Sequence, residues 1–156
     1  MPTDPLEPLR VLVIDDHAAV REGLARLIGA SPGGYRVATA AGAAEAHAAM
    51  AASPAQLVVL DVDLAGEDGL ALLPALRRHA RVLVLTSHGD PATRVRALRQ
   101  GAEAFVEKNA PAAVLMAQLG ILARLHSRGE LAPPQGGASS LAESVGSSLF
   151  ARPRHP

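Results

Sequence analysis

The chain has 156 residues, enough for one domain with a real core and some tail. Its formal net charge is zero, which removes any global pull toward nucleic acid or an anionic membrane. The absence of cysteine excludes disulfides, thiolate metal sites and Cys nucleophiles.

Hydrophobic residues make up 49% of the chain but aromatics only 2%, so Val, Leu, Ile and Ala must build the core. The opening segment MPTDPLEPLR is acidic and proline-rich, unlike a signal peptide. No apolar run approaches the roughly 18 residues that a membrane span needs. A soluble cytoplasmic protein without membrane contact is the expectation, with residues 1–8 as an N-terminal tail.

Five short apolar runs then alternate with helical patterns. Arg10–Ile14 (RVLVI) stops at Asp15. Val20, Leu24, Leu27 and Ile28 keep the spacing of an amphipathic helix, closed by Ser31-Pro-Gly-Gly34. Tyr35–Ala40 alternates weakly, and Ala43–Ala52 is an alanine-rich helix closed by Ser53-Pro54. Leu57–Leu60 (LVVL) stops at Asp61. Leu70, Leu73 and Leu76, three residues apart, predict a helix over Leu70–His79. Val82–Leu85 (VLVL) stops at Thr86. Asp90-Pro91 supplies an N-cap and a first-turn proline for a helix running to Gln100. Ala104–Val106 stops just before Lys108, and Pro111 opens a last helix to about His126. Continuous β-branched runs of this length read as buried parallel strands.

The alternation predicts an α/β fold: a five-stranded parallel sheet, flavodoxin-like (βα)5, strand order 2-1-3-4-5, with helices on both faces. Residues 9–128 form that domain. From residue 129 the chain turns rich in Pro, Gly and Ser and reads as a flexible tail to 156, with one short possible helix around Leu141–Phe150.

In such sheets ligand chemistry sits at the carboxyl ends of the strands. The first strand delivers Asp15 and Asp16, the third Asp61, the fourth Thr86 and the fifth Lys108, all toward one edge. Three carboxylates together repel one another and call for a cation. Oxygen-only ligands suit Mg2+, which would let an anionic phosphoryl group approach Asp61 as a carboxylate nucleophile. Lys108 is the one lysine against 14 arginines and would pair with a phosphoryl oxygen as a compact charge. The Thr86 hydroxyl can donate to another. Strand-end polar residues are ordinary turn chemistry taken singly. Matching chemistry at four strand ends is not.

The blocks RVLVIDDHAAVREGL, LVVLDVDLAGEDGL, VLVLTSHGD and GAEAFVEK resemble those of response-regulator receiver domains in bacterial two-component systems, most of all the NarL/FixJ subfamily. The resemblance spans about residues 9–128. It implies that Asp15 and Asp16 hold Mg2+ with Asp61, and that Asp63 adds its backbone carbonyl. It implies Asp61 as the phosphoacceptor, Thr86 and Lys108 as the phosphoryl-binding pair, and Thr86 and Phe105 as the switch residues. A sensor histidine kinase or phosphotransfer protein becomes the expected partner. Transfer onto Asp61 and later hydrolysis are intrinsic to the domain, which is no enzyme with a separate product. The family usually has proline four residues after the acceptor; here it is Ala65. The helix-turn-helix output domain of the subfamily is not recognisable after GELAPPQ.

Two other readings remain: the regulatory part of a DNA-binding transcription regulator whose output domain is absent from this chain, and a phosphorylation-independent interaction module, against which the intact acidic and lysine positions speak. A flavodoxin-like cofactor binder would need a glycine-rich phosphate loop after the first strand, and none is present. Further expectations concern the surface. Val114, Leu115, Met116, Leu119, Ile121, Leu122 and Leu125 exceed one buried stripe, which points to homodimerisation through the last helix. The neutral balance predicts no direct nucleic-acid binding. Arg94, Arg96 and Arg99 read as a solvated face, and the six histidines lack a common ligand spacing. Asp63 and His88, each two residues past a site residue, are expected to set the lifetime of the phosphorylated state.

Overall fold

The computed structural model describes residues 7–87 and 89–129. Five parallel strands form the main sheet: β1 (Arg10–Ile14), β2 (Arg36–Ala40), β3 (Leu57–Asp61), β6 (Arg81–Thr86) and β7 (Ala104–Glu107). Their order is β2-β1-β3-β6-β7, which is the expected 2-1-3-4-5 once a small extra hairpin is numbered.

The apolar runs are continuous because both faces of each central strand are buried. Leu12, Ile14, Val58, Leu60, Val82 and Val84 pack into one core, with Ala46, Leu73, Leu76 and Ala97 from the helices above it. Val11, Val13, Leu57, Val59, Leu83 and Leu85 pack into the other, with Ile28, Leu115, Leu119 and Leu122. Strand period two sends alternate residues to opposite faces, so each strand serves both cores. Helices α1 (Ala18–Gly29) and α5 (Ala112–Ser127) therefore cover one face. Helices α2 (Ala43–Ala52), α3 (Leu73–Leu76) and α4 (Pro91–Arg99) cover the other. Strand β2 is an edge strand, and its weak alternation follows: Arg36, Ala38 and Thr39 stay exposed.

Three local expectations change. Residues 69–79 are not one helix: a 3-10 turn over Gly69–Leu72 leads into the single α-turn of α3. The three leucines straddle the two pieces, Leu70 in the 3-10 turn and Leu73 and Leu76 in α3, and all three are buried. Pro74, at the start of α3, has no N–H to carry an α-helical ladder back from there. On α1 only Ile28 is fully buried, while Val20 and Leu27 are exposed. Two short antiparallel strands, β4 (Asp63–Leu64) and β5 (Glu67–Asp68), form a hairpin between β3 and the 3-10 turn, which alternation over so few residues does not announce. The Asp90 cap holds as expected: its carboxylate accepts from Thr93 N at 3.1 Å and from Thr93 Oγ1 at 2.8 Å. The proposed tail helix around Leu141–Phe150 lies outside the described residues. Among the described residues, no helix is long and apolar enough to cross a membrane.

Candidate functional site

The ends of two strands and the turns after two others bring the expected residues together. Asp15 follows β1, Asp61 ends β3, Thr86 ends β6 and Lys108 follows β7. Asp15, Asp61 and Thr86 are each 1–2% exposed. Lys108 Nζ lies 3.0 Å from Asp61 Oδ2 and 2.9 Å from Asp15 Oδ2. Its own backbone N–H donates to the Thr86 carbonyl at 2.7 Å, which ties the lysine turn to the end of β6.

The carboxylates are anchored from the backbone. Asp61 Oδ1 accepts from Asp63 N at 3.2 Å. Asp15 Oδ1 accepts from His17 N at 2.9 Å, and the Asp15 carbonyl accepts from Arg21 Nη1 at 2.9 Å. Gly69 has a role that the sequence pattern did not reveal. Its N–H donates to the Val62 carbonyl at 2.7 Å, and a Cβ there would collide with the Asp61 carbonyl oxygen. Only glycine lets the chain pass so close behind Asp61. The Gly at that place in the acidic block was the available signal.

Electrostatics follow from the burial. The Asp61 carboxyl is pushed above its ordinary pKa, chiefly because burial penalises its charge; Asp15 adds to this, and Lys108 and the Asp63 N–H oppose it. Burial works against the Lys108 ammonium, but Asp15 and Asp61 together outweigh it and hold its pKa above the usual lysine value. Three carboxylates face one ammonium, so the pocket is net negative. Asp16 Oδ1 is buried and receives no hydrogen bond, while Asp15 Oδ2 is held by the Lys108 ammonium at 2.9 Å. A buried carboxylate oxygen left without a donor in a net negative pocket fits a hard divalent cation.

Asp63 lies at the start of the hairpin, exposed, beside this pocket. Phe105 is half-buried against the core that Thr86's strand shares, and the Arg94 guanidinium stands 5.5 Å from its ring centroid. Arg96 forms an ion pair with Asp68 of β5. Arg94 and Arg96 are thus engaged rather than a purely solvated face. His88 lies outside the described residues.

Residues 11–120 match the response regulator receiver domain family. Among curated proteins, the chain is 35% identical over 100 residues to transcriptional regulatory protein UhpA of Salmonella typhimurium, covering 64% of this chain and 51% of that protein. It is 35% identical over 106 residues to the probable transcriptional regulatory protein NarL of Mycobacterium tuberculosis, covering 66% and 49%. The chain thus spans about half the length of the curated relatives it matches. Among solved structures, a LuxR-family two-component response regulator from Aurantimonas sp. SI85-9A1 superposes with a TM-score of 0.66 at 36% identity, covering 75% of this chain and 86% of that one. A response regulator from Burkholderia pseudomallei, crystallised with a phosphorylated aspartic acid, calcium ion and citrate, gives 0.66 at 30% identity, covering 81% and 75%. With strand order, strand-end acids and lysine in agreement, the chain belongs to the response regulator receiver domain family.

Proposed function

We propose that Asp61 is the phosphoacceptor through which this receiver works as a signalling switch. The observation that carries this reading is Lys108 Nζ, seated between Asp61 and Asp15 at the carboxyl edge of the sheet. An Asp61 oxygen attacks phosphorus and the phosphorus–nitrogen bond of a phosphohistidine on a sensor kinase or phosphotransfer protein breaks, returning imidazole. Asp15, Asp16, Asp61 and the Asp63 carbonyl would hold Mg2+, which would supply charge neutralisation for the incoming phosphoryl oxygens. Lys108 and the Thr86 hydroxyl bind those oxygens. Thr86 and Phe105 then report the modified state to the α4 side of the sheet. Water later hydrolyses the acyl phosphate in the same pocket.

Incubation with beryllofluoride or acetyl phosphate and Mg2+ tests the assignment. The wild type should be modified and Asp61→Asn should not; equal modification of the variant ends it.

The receiver unit is taken as residues 9–128, working in the cytoplasm. Val114 and Ile121 of α5 are exposed, which supports a homodimer through that helix. A formal charge of zero supports no direct nucleic-acid contact by this chain. A second reading rests on the relatives named as transcriptional regulators: the chain is then the regulatory part of a DNA-binding regulator.

A further inference from the structure

We infer that His17 supplies a nitrogen ligand to the Asp15–Asp16 cation site and opens it to borderline divalent ions such as Co2+ and Zn2+. This rests on the reading above, in which the acidic pair holds a divalent cation. The two can fail separately.

His17 occupies the N-cap of α1 in an extended conformation, φ −85° and ψ 112°, and its side chain makes no capping bond. Its ring is therefore not committed to the helix start. The backbone N–H of the same residue donates to Asp15 Oδ1, closing a tight turn that carries the imidazole back over the acids. Nδ1 lies 3.5 Å from Asp16 Oδ1 and 3.8 Å from Asp15 Oδ1. One donor atom from each of Asp15, Asp16 and His17 lies within 4.8 Å of the others.

Two independent observations point to an ion among these atoms. Asp16 Oδ1 is buried without a hydrogen-bond donor, whereas Asp15, 1% exposed, already has the His17 N–H on Oδ1 and the Lys108 ammonium on Oδ2. The spacing also suits coordination. With bonds of about 2.1 Å, neighbouring donors stand roughly 3.0 Å apart around an octahedral ion and roughly 3.4 Å around a tetrahedral one. The observed 3.5 and 3.8 Å need to close by only tenths of an ångström.

The ligand type selects the ion. Mg2+ takes oxygen donors and gains little from imidazole, whereas Co2+ and Zn2+ bind imidazole well. His17 thus leaves Mg2+ affinity to the carboxylates and adds affinity for a competing class of ion at the same pocket. The ring is 71% exposed, so it can turn toward an ion without disturbing the core.

The test uses the full chain stripped of metal, titrated with Co2+ and with Mg2+. Calorimetry gives the affinities, and the visible absorption of Co2+ gives a signature of nitrogen coordination. His17→Ala should weaken Co2+ by about tenfold or more and remove that signature, while Mg2+ affinity stays within about twofold. His17→Asn, which supplies a favourable N-cap residue, should behave the same and excludes a folding defect. Mg2+ should displace Co2+ from the wild type. Co2+ affinity unchanged in both variants, or reduced in step with Mg2+, overturns the role of His17 and leaves the switch reading standing. Binding of neither ion to the wild type overturns both.

Discussion

At the scale of single residues, the site holds its charges at a cost in stability. Burial is the main reason that the Asp61 carboxyl titrates above its ordinary value. Its folded pKa thus exceeds the unfolded one, so the folded state binds that proton more tightly. The stability this contributes is fully present below the ordinary carboxylate range and is lost as pH rises through the raised pKa. At neutral pH the ionised Asp61 therefore works against the fold. Asp61→Asn, measured by thermal melting at pH 7 without divalent cation, should raise Tm by roughly 2–5 °C. The gain should shrink as pH falls through the carboxylate range. Lys108 does not reverse this, because it keeps Asp15 at 2.9 Å after the substitution. Its own pKa is raised, so its contribution stays intact until strongly alkaline pH. A variant that melts below wild type at pH 7 contradicts the account.

Among the elements, the β4–β5 hairpin is the one that the pattern of the sequence missed, and it begins two residues after Asp61. Its two-residue loop has Ala65 at φ 49° and Gly66 at φ 90°, both left-handed, as in a type I′ turn. Leu64 pairs with Glu67 and Asp63 with Asp68 across it. The hairpin also reaches outward: Glu67 Oε1 accepts from Ala43 N at 3.3 Å at the start of α2, and Asp68 pairs with Arg96 of α4. The departure from the family's usual proline now has a physical reason. Proline is locked near φ −65° and cannot take the value that Ala65 has here. Ala65→Gly should stabilise the protein by about 0.5–1 kcal/mol, since alanine is strained at positive φ. Ala65→Pro, although it restores the family residue, should destabilise by about 1–3 kcal/mol. Urea melts of both variants check this; a Pro variant more stable than wild type would show that the turn is not held in this form.

For the whole molecule, the distribution of apolar surface matters more than its amount. The face that carries α1 and α5 leaves Val20, Leu27, Val114 and Ile121 exposed, while Ile28, Leu115, Leu119 and Leu122 beneath them are buried. A second apolar stripe outside a filled core is surface that another copy can cover. Under the proposed homodimer, sedimentation at high micromolar concentration should show dimers, strengthened by beryllofluoride and Mg2+. Val114→Glu with Ile121→Glu should leave monomers without lowering stability by more than about 1 kcal/mol, because neither side chain is in the core. A wild type that stays strictly monomeric under both conditions rules the dimer out.

What the chain determined by itself was the architecture and the membership of the pocket. Runs such as LVVL and VLVL are apolar at every position because both faces of their strands are buried, and a parallel sheet with fixed crossover hand then leaves few orders to choose from. Acids and lysine placed just after those runs had to meet at one edge, and they do. Tertiary structure alone decided the rest. Leucines three apart do not say where a 3-10 turn gives way to an α-turn, and here the change falls between Leu72 and Leu73. Whether Val20 is buried depends on how α1 lies on the sheet, not on its spacing. The hairpin, the pinch of Gly69 against Asp61 and the return of the His17 ring over the acids are set by positive-φ turns and close approaches. Composition does not encode such contacts: the first and third are local turns whose backbone angles the surrounding fold selects, and the second is a close approach that only the folded chain makes.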